Sequence, residues 1–400
     1  MPRGRRQLMD ERTGFDVNSR SARGSAILFG VVGVQTFIIQ PGFVQGLIEQ
    51  LRFSEREAGL VASAEVAGIA LTALALAFLS PRLDWRSTIR AGAVLATIAD
   101  LASATVTGFG PFAATRFVAG VGLGALVSLS WAAVGLTKNP EREFALYVGG
   151  ALTYGAIGLL VLPWALRAVG VAGVMVALAA VTLVSTPAAR FLPRSAENRV
   201  SFNPDAVDIG GLMKAVALGG VFLFNFALGA TWAYLFVIGV GAGLPEQSVA
   251  NALSFSQLAA VAGSVVPFVL SRRAGRLAPL AIGLVASAGC VVALSGPISL
   301  ATFAISVGAF NFLWNVVLPY LFASMASFDL TGRMVVYAVA VQTLGLGLGP
   351  AAGAAVIAPR GLDGVLLLSA GSIGASLLAT VAALLYHRNR WQGSIAKLPA

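Results

Sequence analysis

Three charged side chains stand inside long apolar segments of the sequence: Glu65, Asp100 and Arg116. A charge inside a lipid bilayer is costly unless it is paired or hydrated, so each of the three is a candidate functional group. Two carboxylates and one guanidinium leave one carboxylate in excess, and a poorly compensated carboxylate in an apolar site retains a proton more readily than one in water. These residues predict a proton-coupling cluster, with Asp100 paired to Arg116 and Glu65 as the main proton carrier. The alternative is an Asp100–Arg116 pair that only fixes helix packing.

Uncharged polar and aromatic side chains occur in other apolar segments. Amides need hydrogen-bond partners in lipid, so Asn311 and Asn315, one helical turn apart, should face the protein interior. Trp314, beside them, is predicted to form a cavity wall rather than an interfacial anchor. Gln40 directly precedes Pro41-Gly42, which should interrupt the first apolar segment, and broken helices often mark binding sites. The predicted substrate-binding residues are Gln40, Trp232, Tyr234, Gln257, Asn311, Trp314, Asn315 and Gln342.

The composition argues against several other chemistries. Cys290 is the only cysteine and His387 the only histidine, so the sequence offers neither a disulfide framework nor a metal-ligand set, and histidine-based catalysis lacks its residue. The net charge of +10 does not form a nucleic-acid footprint, because the basic residues lie in short loops between apolar segments. We therefore predict a protein that is not an enzyme, uses no cofactor or metal and binds no nucleic acid.

The elements that position these residues are membrane spans. The 400-residue chain is 57% hydrophobic and 11% charged, whereas a soluble domain carries about 25% charged residues. Twelve segments approach the ~20 apolar residues that cross a bilayer. The predicted fold is an all-α membrane protein with twelve transmembrane helices in two six-helix, pseudo-symmetric bundles. Its predicted parts are an N-terminal arm (1–24), a first bundle (25–189), a linker (190–213), a second bundle (214–386) and a tail (387–400).

The basic residues predict the orientation of these spans. Of the 27 Lys and Arg residues, 22 lie in the arm, the linker, the tail and the loops on their side, and 4 lie in the opposite loops. Because cytoplasmic loops carry the excess of Lys and Arg, both termini are predicted to be cytoplasmic. The first apolar segment is too long for a signal peptide and lacks a small-residue cleavage site, so we interpret it as a retained helix. Arginine outnumbers lysine and no glycosylation sequon occurs, which favours a bacterial inner membrane.

The two halves show a faint repeat. A shift of 191 residues pairs Glu55 with Glu246, Ser63 with Ser254 and Arg142 with Arg333. The same shift places no charge opposite the cluster of the first half, so the halves are predicted to be specialised. Parallel six-helix repeats around a midplane site are a known plan of transporters.

The segment RFVAGVGLGA places Arg116, Gly120 and Gly124 one turn apart on one helix face, where the glycines allow close approach of a neighbouring helix. Here the chain resembles the major facilitator superfamily, whose fourth helix carries an Arg-x-x-x-Gly-x-Gly pattern that Arg116, Gly120 and Gly122 match. The resemblance also covers the span count, the central linker and the short loops. It implies transport by alternating access between two halves.

Two further patterns of this family occur in altered form. The Gly-x-x-x-Gly-Pro-x-x-Gly pattern, which family drug antiporters carry in the fifth helix, lies here in the eleventh span and includes Gly349 and Pro350. A glycine-proline bend used only for packing is the alternative. The loop after the second span retains Asp84 of the family's gating motif, but Arg86 is displaced by one position and both glycines are lost. The equivalent later loop retains Arg273 and Arg276 and has no aspartate. The resemblance assigns gating or packing roles to Gly120, Gly124, Asp84, Arg86, Arg273, Arg276, Gly349 and Pro350, although positive-inside charge alone also explains the arginines.

These observations predict a secondary active transporter that moves a small organic solute, anionic or amphipathic, with proton coupling. An anionic solute requires that Asp100 leave Arg116 partly unoccupied. The alternatives are a multidrug efflux proton antiporter, which shares the fold, and a membrane-embedded receptor or enzyme, which no motif supports. The predicted partners are a small-molecule substrate, protons and the lipid bilayer, and the protein is predicted to be a monomer.

Overall fold

The computed structural model describes residues 16–195, 207–270, 275–329 and 333–395, and every regular element in them is a helix. Helices of the first half are α1 (Arg20–Gly33), α2 (Gln35–Ile38), α3 (Gln40–Leu51), α4 (Glu55–Leu79), α5 (Trp85–Ser103), α6 (Phe109–Gly135) and α7 (Pro140–Ser185). Those of the second half are α8 (Gly211–Gly241), α9 (Glu246–Leu270), α10 (Leu277–Val292), α11 (Leu300–Ser327) and α12 (Arg333–Ile395).

Seven of the described helices are long and apolar enough to cross a bilayer, and α10 is a shorter apolar helix. Two of the seven, α7 and α12, turn back at a glycine with a left-handed backbone: Gly170 has φ 68° and Gly361 has φ 61°. Glycine is the residue that adopts this conformation without strain. Both glycines fall where the sequence predicts a loop between two spans. The structure therefore agrees with an all-α membrane protein, and the count of twelve spans stays a prediction.

Gln50 of α3 completes the backbone hydrogen bonding at the Gly170 turn. Its amide nitrogen donates to the carbonyl of Leu166 at 2.6 Å, and its amide oxygen accepts from the N–H of Val171 at 2.8 Å. Buried backbone groups that lose their helical partners need replacements, and one glutamine side chain supplies two of them. The first span thereby fixes the turn between the two legs of α7.

The first span is broken twice, at Val34 and at Ile39, where both residues leave helical geometry. The sequence predicts an interruption at Pro41-Gly42, but Pro41 lies in the first turn of α3. A proline is tolerated there because the first-turn N–H groups have no intrahelical partner. The break therefore precedes the proline.

The helix pairing is the same in both halves. In the first half α4 and α5 both pack on α6, and in the second half α9 and α10 both pack on α11. The halves meet where α4 packs on α12, α7 on α9 and α3 on α8. This arrangement agrees with the predicted repeat.

Several helix ends differ from the predicted boundaries, and α1 begins at Arg20, inside the predicted arm. Helix α8 begins at Gly211 instead of Lys214, and α12 continues beyond Tyr386 to Ile395, so much of the predicted tail is helical. We call the end at which α4 and α6 finish and α8 begins the linker end. The opposite end, with the Gly170 and Gly361 turns, is the far end.

Candidate functional site

The three intramembrane charges meet in one buried cluster. Arg116 of α6 donates from Nη1 to Asp100 Oδ1 of α5 at 2.6 Å, and from Nε to Glu65 Oε2 of α4 at 3.1 Å. Its Nη1 also lies 3.2 Å from Ser103 Oγ and 3.3 Å from Met175 Sδ on the second leg of α7. The side chains of Arg116 and Asp100 are fully buried, and that of Glu65 is 5% exposed. One guanidinium thus joins four helical segments.

The structure contains the predicted Asp100–Arg116 pair, and Arg116 contacts Glu65 in addition. Each carboxylate uses only one oxygen: within the described residues Glu65 Oε1, Asp100 Oδ2 and Arg116 Nη2 have no hydrogen-bond partner. One positive charge still faces two negative charges. A shared guanidinium cannot fully compensate both carboxylates, so the cluster can hold one proton.

Close backbone contact between α4 and α6 holds Glu65 against Arg116. A Cβ atom at Gly120 would overlap the carbonyl oxygen of Glu65, and one at Gly124 would lie 2.8 Å from the carbonyl oxygen of Ile69. On the other side of the contact, a Cβ atom at Gly68 would overlap the carbonyl of Phe117. The predicted glycine contact face is therefore directed at α4.

We expect Gly120→Ala to destabilise the protein and to displace Glu65 from Arg116. Its new methyl group meets backbone, which cannot rotate away, and overpacking of this kind costs about 1–3 kcal/mol or more. Unfolding temperature measured by intrinsic fluorescence of the detergent-solubilised protein tests this. Gly135→Ala is the matched control on the same helix, since nothing lies within 4 Å of a Cβ atom there. Equal unfolding temperatures for the two variants would contradict the tight contact.

A cavity of about 340 Å³ lies between the halves towards the linker end. Its lining extends from Ser80, directly after α4, to Phe37 in the broken first span and Val66 in the middle of α4. Residues of α6, the first leg of α7 and the first leg of α12 complete the wall. Phe37 and Val66 directly follow Thr36 and Glu65 in sequence, so the inner end of the cavity lies beside the part of the chain that carries the cluster, and no charged residue of the cluster belongs to the lining.

Three aromatic rings pack together at the inner end of the cavity, and one of them, Phe37, belongs to its lining. The ring of Phe37 packs edge-on against Trp314 of α11, with centroids 6.4 Å apart, and Trp314 packs edge-on against Trp232 of α8 at 6.2 Å. Trp232 is 2% exposed, and its indole N–H donates to the carbonyl of Phe37 at 2.9 Å. This bond connects the two halves.

Pro41 explains why the Phe37 carbonyl is available to Trp232. In a continuous helix this carbonyl would accept from the N–H four residues later, and that residue is Pro41, which has no N–H. The carbonyl instead accepts from the N–H of Ile39 within the break and from the indole of Trp232. The break in the first span thus creates a contact point for the second half.

Other hydrogen bonds between the halves also lie on the far side of this aromatic layer. The Tyr234 hydroxyl lies 3.3 Å from the carbonyls of Glu55 and Pro350, and Ser254 Oγ donates to the carbonyl of Ala156 at 2.7 Å. Gln247 donates to the carbonyl of Leu160 at 3.3 Å. The halves are therefore joined at the far end and separated by the cavity at the linker end.

We expect Trp232→Phe to loosen the far-end closure, since it retains an aromatic ring and removes the donor to Phe37. One hydrogen bond contributes about 0.5–1.5 kcal/mol, so the accessibility of buried far-end positions should rise about twofold to tenfold. The labelling rate of Ser254→Cys in a Cys290→Ala background measures it. Trp164→Phe is the control, because Trp164 is 66% exposed. An unchanged rate in Trp232→Phe would show that the bond does not hold the halves together.

A family model decides the class of this protein: the Major Facilitator Superfamily model matches residues 25–350. The chain belongs to the Major Facilitator Superfamily. It is therefore a multi-pass, all-helical membrane protein and a secondary transporter of small molecules, and it is not an enzyme. The family resemblance based on the Arg116 motif is confirmed. No curated protein sequence matches the chain.

Within this superfamily fold, the predicted substrate-binding residues separate into different environments. Gln342 lines the cavity, and Trp232 and Trp314 belong to the aromatic layer at its inner end. Tyr234 is fully buried in the far-end contact, and Gln257 is buried against Gly155 of α7. Both residues lie at contacts between the halves in this conformation, and their role in substrate binding stays a prediction.

The other predicted amides also have partners outside the cavity or lie apart from it. Asn311 is buried and donates to Ser256 Oγ at 2.8 Å, so it joins α11 to α9. Asn315 donates to the carbonyl of Asn311 at 3.0 Å within its own helix. Gln40 is buried in α3, and its Oε1 has no partner among the described residues. The amides are interior as predicted, but the hydrogen bonds of Asn311 and Asn315 do not point to a substrate.

The predicted gating residues at the linker end fasten the loop after α4. Asp84 caps α5 by accepting the Ser87 N–H at 2.8 Å, and this bond lowers the pKa of Asp84. Arg86 donates to the carbonyl of Leu192 at 2.5 Å, so the loop is tied to the segment after α7. Arg276 directly precedes α10, and Arg273 lies outside the described residues.

The two remaining packing residues lie where α12 contacts α8. A Cβ atom at Gly349 would overlap the carbonyl of Phe226, and the carbonyl of Pro350 is within hydrogen-bond distance of the Tyr234 hydroxyl. The glycine-proline pattern thus serves the close packing of α12 on α8. A gating role for these residues stays a prediction.

Sequence reasoning missed several residues around the cluster. Ser103 and Thr36 are polar and lie three or four residues from Asp100 and Gln40, so helical spacing could have indicated them. The Thr36 hydroxyl neighbours the Glu65 carboxyl, although it falls short of hydrogen-bond geometry. Met175 carries no signal in the sequence, because an apolar residue in a span has no distinguishing mark.

Proposed function

We propose that the protein couples the movement of a small organic solute to that of protons, by alternating access across a bacterial inner membrane. One observation carries the proposal: a buried cluster with one excess carboxylate lies next to chain segments that line a cavity between the two halves. A proton-coupled carrier needs a group that gains and loses a proton as the protein changes conformation. The cluster supplies that group, and the cavity supplies space for the solute.

Glu65 is the carboxylate best placed to exchange this proton. Val66 and Phe37 line the cavity, and they directly follow Glu65 and the neighbouring Thr36. Asp100 makes the shorter contact with Arg116 and is fully enclosed. A proton that enters from the cavity therefore reaches Glu65 first, while Asp100 holds the guanidinium.

The closed far end and the open linker end correspond to one of the two states that alternating access requires. Transition to the other state must break the contacts of Trp232, Tyr234 and Ser254 with the first half. It must also close the cavity at the linker end. Rigid movement of one half against the other accomplishes both, since most of these contacts end on backbone carbonyls.

An anionic solute loses its proposed attractor in this arrangement. Arg116 is bound to both carboxylates and its side chain is fully buried, so it does not present a positive charge to the cavity. The cavity lining is largely apolar. Of the two predicted solute classes, anionic and amphipathic, it therefore favours the amphipathic one.

A ligand screen followed by flux measurement tests the proposed function. Solutes that raise the unfolding temperature bind the native state, and each is then given in radiolabelled form to proteoliposomes that carry a pH gradient. The expected result is accumulation that a protonophore collapses. Stabilising solutes that never cross the membrane, or whose accumulation ignores the pH gradient, would contradict the proposal.

Multidrug efflux is the second candidate, and the apolar lining of the cavity favours it. The glycine-proline pattern that family drug antiporters carry in the fifth helix argues against it, because Gly349 and Pro350 pack on α8 instead. The same screen separates the two functions. Stabilisation by many unrelated solutes supports drug efflux, and stabilisation by one chemical series supports a dedicated carrier.

We further propose that the linker end faces the cytoplasm. In a Cys290→Ala background, Ser195→Cys at the linker end is expected to react with an impermeant maleimide in inside-out vesicles only. Arg56→Cys, at the exposed start of α4, is expected to react in right-side-out vesicles only. The physical reason is the excess of basic residues in the linker-end loops. The reverse labelling pattern would invert the orientation.

A further inference from the structure

We infer that the linker-end cavity binds an uncharged, mainly aromatic solute that carries one hydrogen-bonding group. This inference rests on the proposed function, because it takes the cavity to be the transport site. It follows from the charge, the shape and the unused polar groups of the lining.

The absence of charge in the described cavity lining is the first constraint on the solute. No Asp, Glu, Lys, Arg or His belongs to the lining among the described residues. The charges of the cluster, Glu65 and Arg116, are paired with each other and at most 5% exposed. Transfer of an ion from water into a largely apolar cavity is costly unless an opposite charge meets it. The cavity therefore selects against permanent anions and cations.

Aromatic surface is the second constraint. Phe37 lies at the inner end of the cavity, and Trp131 and Tyr147 form its side wall, where their rings pack edge-on with centroids 5.7 Å apart. Aromatic walls favour flat rings through stacked and edge-on contacts. A volume of about 340 Å³ is at the small end of the range for ligand sites, which suits a solute of two or three fused rings.

Gln342 supplies the polar anchor. Its amide is half-buried in the lining and makes no hydrogen bond to another described residue, whereas the neighbouring Thr343 hydroxyl is satisfied by the carbonyl of Val339 at 2.9 Å. Ser128 also lines the cavity and likewise makes no such bond. An amide in an apolar wall gains most from a partner on the solute, since water access is restricted there. A neutral amide or hydroxyl on the solute matches it.

Three matched probes test the inference with the full-length protein in nanodiscs: naphthalene-2-carboxamide, 2-naphthoate and trimethyl(2-naphthyl)ammonium. Binding is measured by equilibrium dialysis, and specific binding is the part that Ala73→Trp, which fills the cavity, abolishes. Ala242→Trp, at an exposed position, is the control for a new tryptophan. We expect the neutral amide to bind at least about tenfold more tightly than either ion, as a buried unpaired charge requires.

Gln342→Leu tests the anchor. It should weaken binding of the carboxamide severalfold to about tenfold and leave the affinity for 2-methylnaphthalene, which lacks a polar group, unchanged. An unfolding temperature equal to that of the wild type shows that the variant is folded. Equal affinity for an ion and the neutral amide, absence of specific binding by the amide, or an unchanged amide affinity in Gln342→Leu overturns the inference.

The result of these binding experiments can be distinguished from the result of the transport experiment that tests the proposed function. If a charged solute from the thermal-shift screen accumulates under a pH gradient, proton-coupled transport holds and the substrate class is wrong. If the carboxamide binds as expected but no solute ever accumulates, the substrate class holds and the coupling is wrong.

Discussion

Arg116→Met is expected to leave little folded protein at neutral pH. The substitution retains a long apolar stem and removes the cation that, among the described residues, contacts both Glu65 and Asp100. Removing one partner of a buried ion pair costs about 3–5 kcal/mol, because the other charge is left uncompensated. Here two carboxylates lose the same partner. The yield of monodisperse protein and its unfolding temperature measure the effect.

The loss of stability in Arg116→Met should depend on the uncompensated carboxylate charges and not on the shape of the new side chain. Protonation of the carboxylates removes the uncompensated charges, so acidic buffer should partly restore the unfolding temperature of Arg116→Met. Adding Glu65→Gln and Asp100→Asn to the same chain should restore more of it, because no charge then stays buried. A triple variant as unstable as the single one would mean that Arg116 acts through packing alone.

Glu65→Gln is expected to abolish accumulation driven by a pH gradient while exchange of solute across the membrane continues. The variant leaves Arg116 and Asp100 as a neutral pair, and such a pair has no reason to gain or lose a proton during the cycle. A pH difference of one unit corresponds to about 1.4 kcal/mol per proton, which drives an approximately tenfold concentration gradient of the solute. In Glu65→Gln this concentration gradient should disappear. Accumulation and counterflow in proteoliposomes, with a solute identified by the screen, measure the two activities separately.

Glu143→Gln is the matched control for this substitution. Glu143 is also a buried glutamate, and it pairs with Arg23 at 2.8 Å near the linker end, away from the cluster. It should retain accumulation. Wild-type accumulation in Glu65→Gln, or an equal loss in Glu143→Gln, contradicts the assignment of the proton to Glu65.

The structure also changes the expectation for Asp100→Asn. From the sequence alone, this substitution strands a guanidinium. Because Arg116 also contacts Glu65, it retains an anionic partner, and the loss of stability should be smaller than in Arg116→Met. Sequence can count the charges in a set of spans, but the division of one guanidinium between two carboxylates depends on helix rotation that the sequence does not specify.

The site residues that could be predicted from the sequence are mainly those whose side chains cost free energy to place inside a membrane. Glu65, Asp100 and Arg116 are conspicuous because a lone charge in lipid is expensive, and Gly120 because its spacing from Arg116 forms a helix face. The same reasoning predicted that Asn311 and Asn315 face the interior, but it could not identify their hydrogen-bond partners. The cost of a buried amide requires a hydrogen-bond partner, and the structure supplies Ser256 and a helix carbonyl instead of a cavity.

The cavity itself could not be predicted. The cavity is lined by aromatic residues from apolar segments: Trp131, Tyr147 and Phe37. The sequence pattern around such a residue is the same whether its side chain faces lipid, the protein core or a cavity. The bond from Trp232 to Phe37 depends on a carbonyl that Pro41 leaves without its usual partner. The proline is visible in the sequence, but the half of the protein that supplies the donor is not.

The measurement that tests the central claim most directly is the pH dependence of distances between the two halves in wild type and in Glu65→Gln. Spin labels at Arg56 and Ala242 report on the far end, and labels at Arg82 and Arg333 report on the linker end, each in a Cys290→Ala background. Double electron–electron resonance at pH ~5.5 and ~8 needs no substrate, and proton binding can shift the conformations only if they differ in proton affinity. We predict that pH changes the two distance distributions in opposite directions in the wild type and has no effect in Glu65→Gln. Distances that ignore pH in the wild type, or that respond equally in Glu65→Gln, would contradict proton-linked alternating access through this cluster.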